Sequence, residues 1–131
     1  MFARERPVLP APATLVGRVN DGELRALYEG AACFLFPSRY EGFGLPAIEA
    51  MACGCPVVAA RAGALPEECG EAALLCDPAS PGEFAAAVAR LLDEPGLADG
   101  LRAAGRARAA TFTWDGAARR LLDAIAPLDL F

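Results

Sequence analysis

The chain has 131 residues, 55% of them apolar and 22% charged, a composition suited to one globular domain with a real core rather than to a disordered segment. Its net charge of -5 argues against nucleic acid as a partner, because phosphate neutralisation needs a clustered basic surface. It holds no histidine, which excludes a histidine base, a histidine metal ligand and a Ser-His-Asp triad within these residues, and all 12 basic residues are arginine.

Met1 to Ala13, with three prolines, reads as a poorly ordered leader, and residues 14–131 as one partial nucleotide-sugar-binding unit. Thr14–Val19 is a short apolar run with the look of a strand. Asn20-Asp21 offers a helix cap, and Leu24, Leu27 and Tyr28 follow at helical spacing up to Gly30. Cys33–Phe36 is unbroken apolar sequence closed by Pro37-Ser38, as expected of a buried strand. After a loop from Arg39 to Leu45, Pro46 suits a helix start, and Gly54 stops that helix after about Cys53. Cys55–Ala60 is the next buried strand, Gly63–Gly70 holds a short helical turn, and Ala72–Cys76 is a fourth strand. Three helices follow, over Pro81–Asp93, Leu97–Ala110 and Thr113–Ile125, with Trp114 as an expected packing anchor. Alternating strand and helix gives an α/β class: a partial Rossmann-like parallel sheet of about four strands, helices on both faces and a helical C-terminal tail.

The five cysteines (Cys33, Cys53, Cys55, Cys69 and Cys76) lack CxxC spacing and read as small buried hydrophobes, so no metal site is expected. No apolar run approaches the roughly 20 residues that span a bilayer, and the start lacks a signal peptide's apolar core, so the expected location is cytoplasmic. The tail arginines Arg102, Arg106, Arg108, Arg119 and Arg120 are interleaved with acids, which favours a solvated helix surface over a membrane-binding face.

The chemistry is concentrated in residues 37–58, PSRYEGFGLPAIEAMACGCPVV. In a doubly wound sheet, ligands gather at the carboxyl ends of strands, where this loop begins. Gly42 and Gly44 let the backbone come close to a ligand, and the helix beginning near Pro46 turns its free N–H groups toward an anion. Glu41 and Glu49 flank this cradle, and carboxylates accept hydrogen bonds from paired sugar hydroxyls. Each residue alone has an ordinary explanation: an acid in a first helical turn, a loop acid, a glycine turn.

The string Glu41-Gly-Phe-Gly-Leu-Pro-Ala-Ile-Glu49 resembles the E-x7-E signature of family 4 retaining glycosyltransferases, whose two Rossmann domains form the GT-B fold. The likeness continues through Gly17–Tyr28, Phe36-Pro-Ser38, Ala50–Gly54, Pro56-Val-Val58, Pro66-Glu67, Gly70, Asp77-Pro78, Gly105 and Phe112-Thr-Trp114, covering about residues 14–125. The resemblance implies that Glu41 is catalytic, contacting the donor sugar. It further implies that Gly42, Phe43, Gly44 and Leu45 bind the donor through their backbone, and that Glu49 holds the ribose. It implies a nucleotide-diphosphate sugar as donor substrate, no cofactor, no metal and retention of anomeric configuration. The acceptor, a glycan, lipid or small molecule, would bind through an N-terminal domain absent here, and the full-length enzyme could sit peripherally on a membrane. The family also uses an Arg and a Lys against the leaving diphosphate; this chain has no lysine, and Arg39 and Arg61 are the candidates to contribute charge.

By the same resemblance the complete sheet has strand order 3-2-1-4-5-6, of which this chain would supply the last four. The missing pair belongs between Thr14–Val19 and Cys33–Phe36, so the chain must close that gap, leave Cys33–Phe36 as an exposed apolar edge or pair with another chain, and weak solubility or self-association is expected. The expected function is therefore hexosyl transfer, with this chain as a donor-binding fragment inactive alone. The alternatives are a non-catalytic sugar-nucleotide-binding module or a subunit of a split enzyme. A sugar-nucleotide epimerase of the same fold ranks last.

Overall fold

The computed structural model describes residues 10–128, so the first nine residues of the expected leader lie outside the described residues. Helix α1 (Asp21–Gly30) begins in a capping box: Asn20 Oδ1 accepts the Glu23 N–H at 2.9 Å, and Glu23 Oε2 accepts the Asn20 N–H at 2.9 Å. Strand β1 (Phe34–Phe36) leads through the Pro37–Gly44 loop into α2 (Leu45–Ala52), which has Pro46 in its first turn. Next come β2 (Val57–Ala60), the five-residue α3 (Leu65–Cys69) and β3 (Ala73–Cys76). Helices α4 (Pro81–Asp93), α5 (Leu97–Ala109) and α6 (Trp114–Ile125) complete the described chain.

The sheet has three parallel strands in the order β1-β2-β3, with Phe34 opposite Val57 and Val57 opposite Ala73. All four β2 residues are fully buried. Because successive strand residues point to opposite faces, complete burial means that helices cover the sheet on both sides. On one of those faces α5 approaches α2 closely: a Cβ on Gly105 would stand 3.2 Å from Met51 Cγ. Met51, Leu65, Val57 and Val58 are the largest apolar side chains of the sealed core.

The expected fourth strand is a correction. Thr14–Val19 forms no strand and pairs with nothing among the described residues, and Leu15 and Val16 are 51% and 59% exposed. An extended apolar segment becomes a strand only when a neighbour takes up its N–H and C=O groups, and no neighbour is present on that side. β1 is accordingly an edge of the sheet, and Leu35 is exposed where the unbroken apolar run alone reads as a buried strand. Trp114 is the second correction: at 92% exposure it anchors nothing, and α6 has no buried residue. Among the described residues no helix is long and apolar enough to cross a membrane.

Candidate functional site

Parallel pairing of β1 and β2 brings the loops that leave them, Pro37–Gly44 and Arg61–Ala64, to the same carboxyl edge of the sheet. There the two loops lock together. The Ala64 N–H donates to the Glu41 carbonyl at 3.2 Å, and Gly63 backs onto the Glu41 peptide so closely that a Cβ would meet Glu41 O at 2.9 Å. Gly44, at φ +73°, turns the chain into α2, and a Cβ on it would fall 2.7 Å from Leu65 Cδ2. The Glu41–Gly44 turn is thus seated on the start of α3, a contact between segments about 20 residues apart.

No side chain caps α2, and its first turn carries no acid. That leaves the positive end of the helix open to an external anion, the electrostatic condition for holding a phosphate. Glu41 is half-buried at the entrance of the turn, and Gly42 is exposed beside it. Glu49 is exposed on α2, about 7.5 Å along the axis from Gly44 at 1.5 Å per residue. It lies on the α1 side: burial first, and the Glu49 charge next, push the Tyr28 hydroxyl above its ordinary value. The Tyr28 ring in turn meets Phe34 of β1 edge-on at 5.2 Å. Glu41, Gly42, Phe43, Gly44 and Leu45 therefore form one continuous turn, while Glu49 stands further along the helix that the turn begins.

Phe43 and Leu45, expected to act through their backbones, also present half-exposed side chains to a hollow of about 620 Å³ that Ile48, Phe112, Trp114 and Arg120 help to line. The Phe43 and Phe112 rings meet at 5.7 Å and 88°. Of the two candidate cations, Arg39 is exposed, whereas Arg61 is engaged at the other edge of the sheet, donating from its guanidinium to the Leu75 carbonyl at 2.8 Å. Arg61 therefore caps a strand edge. Among the described residues no group of three or more acids and cysteines could hold a metal ion.

Arg108 is the residue that the tail's charge pattern conceals. Its Nε and a terminal nitrogen donate to the Glu68 and Glu67 carbonyls at 2.8 and 2.7 Å, although it had the look of one more solvated arginine. The only local signal is its i,i+4 spacing to Phe112, over whose ring the guanidinium lies at 5.0 Å.

Nearby, burial, and then the charge of Glu67, raise the Glu68 carboxyl above its ordinary value, with Arg108 acting in the opposite direction. A raised folded value favours the protonated form, so that stability is fully present below the unfolded carboxylate range and lost as pH rises through the folded value. Glu68→Gln is expected to exceed the parent in stability near neutral pH by no more than about 0.5 kcal/mol, given solvent screening. The gain should vanish below about pH 4, where the parent's carboxyl is protonated anyway. Paired thermal melts across that range check it; a gain of the same size at every pH contradicts it.

With this geometry in place, comparison with known proteins decides the family. The profile described as "Glycosyl transferases group 1" matches residues 3–94. The chain belongs to this family. Over 104 residues it is 49% identical to MMP alpha-(1->4)-mannosyltransferase of Mycolicibacterium hassiacum, covering 76% of this chain and 25% of that protein. It is 38% identical over 109 residues to O-antigen chain mannosyltransferase B of Escherichia coli, covering 83% and 29% respectively. Among solved structures, sucrose-phosphate synthase from Thermosynechococcus elongatus superposes with a TM-score of 0.75 at 38% identity, covering 88% of this chain and 30% of that one. This group 1 glycosyl transferase chain therefore spans between a quarter and a third of the length of the relatives it matches.

Proposed function

We propose that this chain binds the nucleotide-diphosphate sugar donor of a retaining hexosyl transfer reaction. The carrying observation is the Glu41–Leu45 turn, fixed at the carboxyl ends of β1 and β2 and opening onto the uncapped start of α2. In this reading the diphosphate lies at the α2 N-terminus, where the helix dipole favours its charge. Glu41 reaches the donor sugar, the backbone of Gly42, Phe43, Gly44 and Leu45 lines its path, and Glu49 accepts hydrogen bonds from the ribose hydroxyls. The bond from the anomeric carbon to the diphosphate breaks and the new glycosidic bond forms on the same face. No metal takes part.

Two of the similar proteins are mannosyltransferases by name, which supports a hexose as the transferred group. Their roughly threefold greater length supports the corollary that transfer needs an acceptor-binding region beyond these residues. The small share of its relatives' length that the chain spans leaves a second reading, in which it binds donor as a non-catalytic module or as one subunit of a split enzyme. A cytoplasmic setting belongs to both readings, since sugar nucleotides are the shared ligand.

Calorimetric titration with UDP- and GDP-sugars tests donor binding directly. Glu49→Ala is expected to weaken it about tenfold or more, the loss associated with hydrogen bonds to a charged group. Unchanged affinity would remove Glu49 from the site. Adding an N-terminal domain in trans and assaying transfer then tests for catalysis: turnover marks the chain as the donor-binding part of a transferase, and binding without turnover marks a non-catalytic module.

A further inference from the structure

We infer that Arg108 is a positioning residue for the Glu41–Leu45 turn, acting through Phe112 and Phe43; the inference rests on the proposal that this turn holds the sugar donor. Arg108 occupies the last turn of α5. Its two hydrogen bonds go to the Glu67 and Glu68 carbonyls in the last turn of α3, where helix carbonyls lack intrahelical partners and the dipole is negative. A planar fork held at 2.7 and 2.8 Å by two adjacent carbonyls is fixed in orientation as well as position.

The fixed plane is then used a second time. It lies over the Phe112 ring at 5.0 Å from the centroid, and Phe112 meets Phe43 at 5.7 Å and nearly a right angle. Phe43 sits between Gly42 and Gly44, 45% exposed, with glycine freedom on either side. Its side chain ties the middle of the turn to Phe112. The short helix α3 consequently holds the turn twice: from its start, through Ala64 N–H to Glu41 and Leu65 against Gly44, and from its end, through Arg108, Phe112 and Phe43. A lysine could satisfy one carbonyl but could not hold both carbonyls while keeping its charge above the ring.

The test is a cycle of four full-length proteins: parent, Arg108→Lys, Phe112→Leu and the double variant. Amide resonances of Phe43 and Gly44 are read by NMR, and affinities for GDP-mannose and UDP-glucose by calorimetry. Arg108→Lys is expected to move both resonances and to weaken sugar-nucleotide binding about tenfold, yet to change neither further once Phe112 is leucine. A simple clasp between α5 and α3 would act equally in both backgrounds. Undisturbed Phe43 and Gly44 resonances, or equal effects with and without Phe112, overturn the inference. Should the parent bind neither sugar nucleotide, the donor reading fails, while the resonances still decide whether Arg108 positions the turn. If Arg108→Lys does not fold, Arg108→Gln takes its place; loss of the fold in both makes Arg108 a folding clasp and also overturns the inference.

Discussion

Gly63→Ala is expected to cost about 2–4 kcal/mol of stability and, on the proposed donor site, to abolish measurable binding of UDP- and GDP-sugars. Two terms combine. Gly63 has φ +56°, a conformation that costs an L side chain about 1–2 kcal/mol. The added carbon would also stand 2.9 Å from Glu41 O and 3.0 Å from Glu41 N, and both are backbone atoms that no rotamer change can withdraw. The Glu41 peptide must therefore move, taking with it the hydrogen bond from Ala64 and the entrance of the turn. Gly96→Ala isolates the first term, because Gly96, just before α5, is left-handed at φ +81° and ψ -14° with nothing within 4 Å of the added carbon. Gly42→Ala, in open space without a left-handed φ, should stay within about 0.5 kcal/mol of the parent. Denaturant unfolding of the three variants, with calorimetry on each, makes the comparison. Equal losses for Gly63→Ala and Gly96→Ala would mean that the Glu41 backbone is not held against Gly63.

That contact also marks where sequence reading ends. The buried strand β2 was legible because an apolar run packed on both faces has one explanation, and Val57–Ala60 are indeed fully sealed. α2 was legible from Pro46 and Gly54, and starts one residue earlier than Pro46 suggests because Gly44 makes the turn. Thr14–Val19 misled for the complementary reason: a run of Leu, Val and Thr reads alike with or without a pairing partner, and here nothing pairs with it. Trp114 misled because a large aromatic at a helix start ordinarily packs, whereas this one is left open. Within the site, the glutamates and glycines of residues 41–49 could be singled out from their types and spacing. Gly63 and Arg108 could not, since their partners are backbone atoms of Glu41, Glu67 and Glu68, and a backbone atom leaves no trace in residue identity.

Leu65→Ala is the second large effect, expected to cost about 2–5 kcal/mol and to lower the melting temperature by roughly 10–20 °C. Leu65 is fully buried at the first position of α3, and its Cδ2 fills the space that a side chain on Gly44 would need. Truncation leaves a cavity directly beneath the Glu41–Leu45 turn, so stability and the geometry of the turn should fail together. For a domain whose total stability is of the order of 5–15 kcal/mol, the loss is a large fraction of the whole. The complementarity of the pair gives a sharper test than the single variant. Gly44→Ala places its methyl against Leu65 in the parent but against the new cavity in Leu65→Ala, while the left-handed φ of +73° is the same in both. The second substitution should therefore cost less in the Leu65→Ala background, by about 0.5–3 kcal/mol of coupling between neighbours. Strict additivity would show that Leu65 does not press on Gly44, and the turn would then have to be held by Glu41 and Phe43 alone.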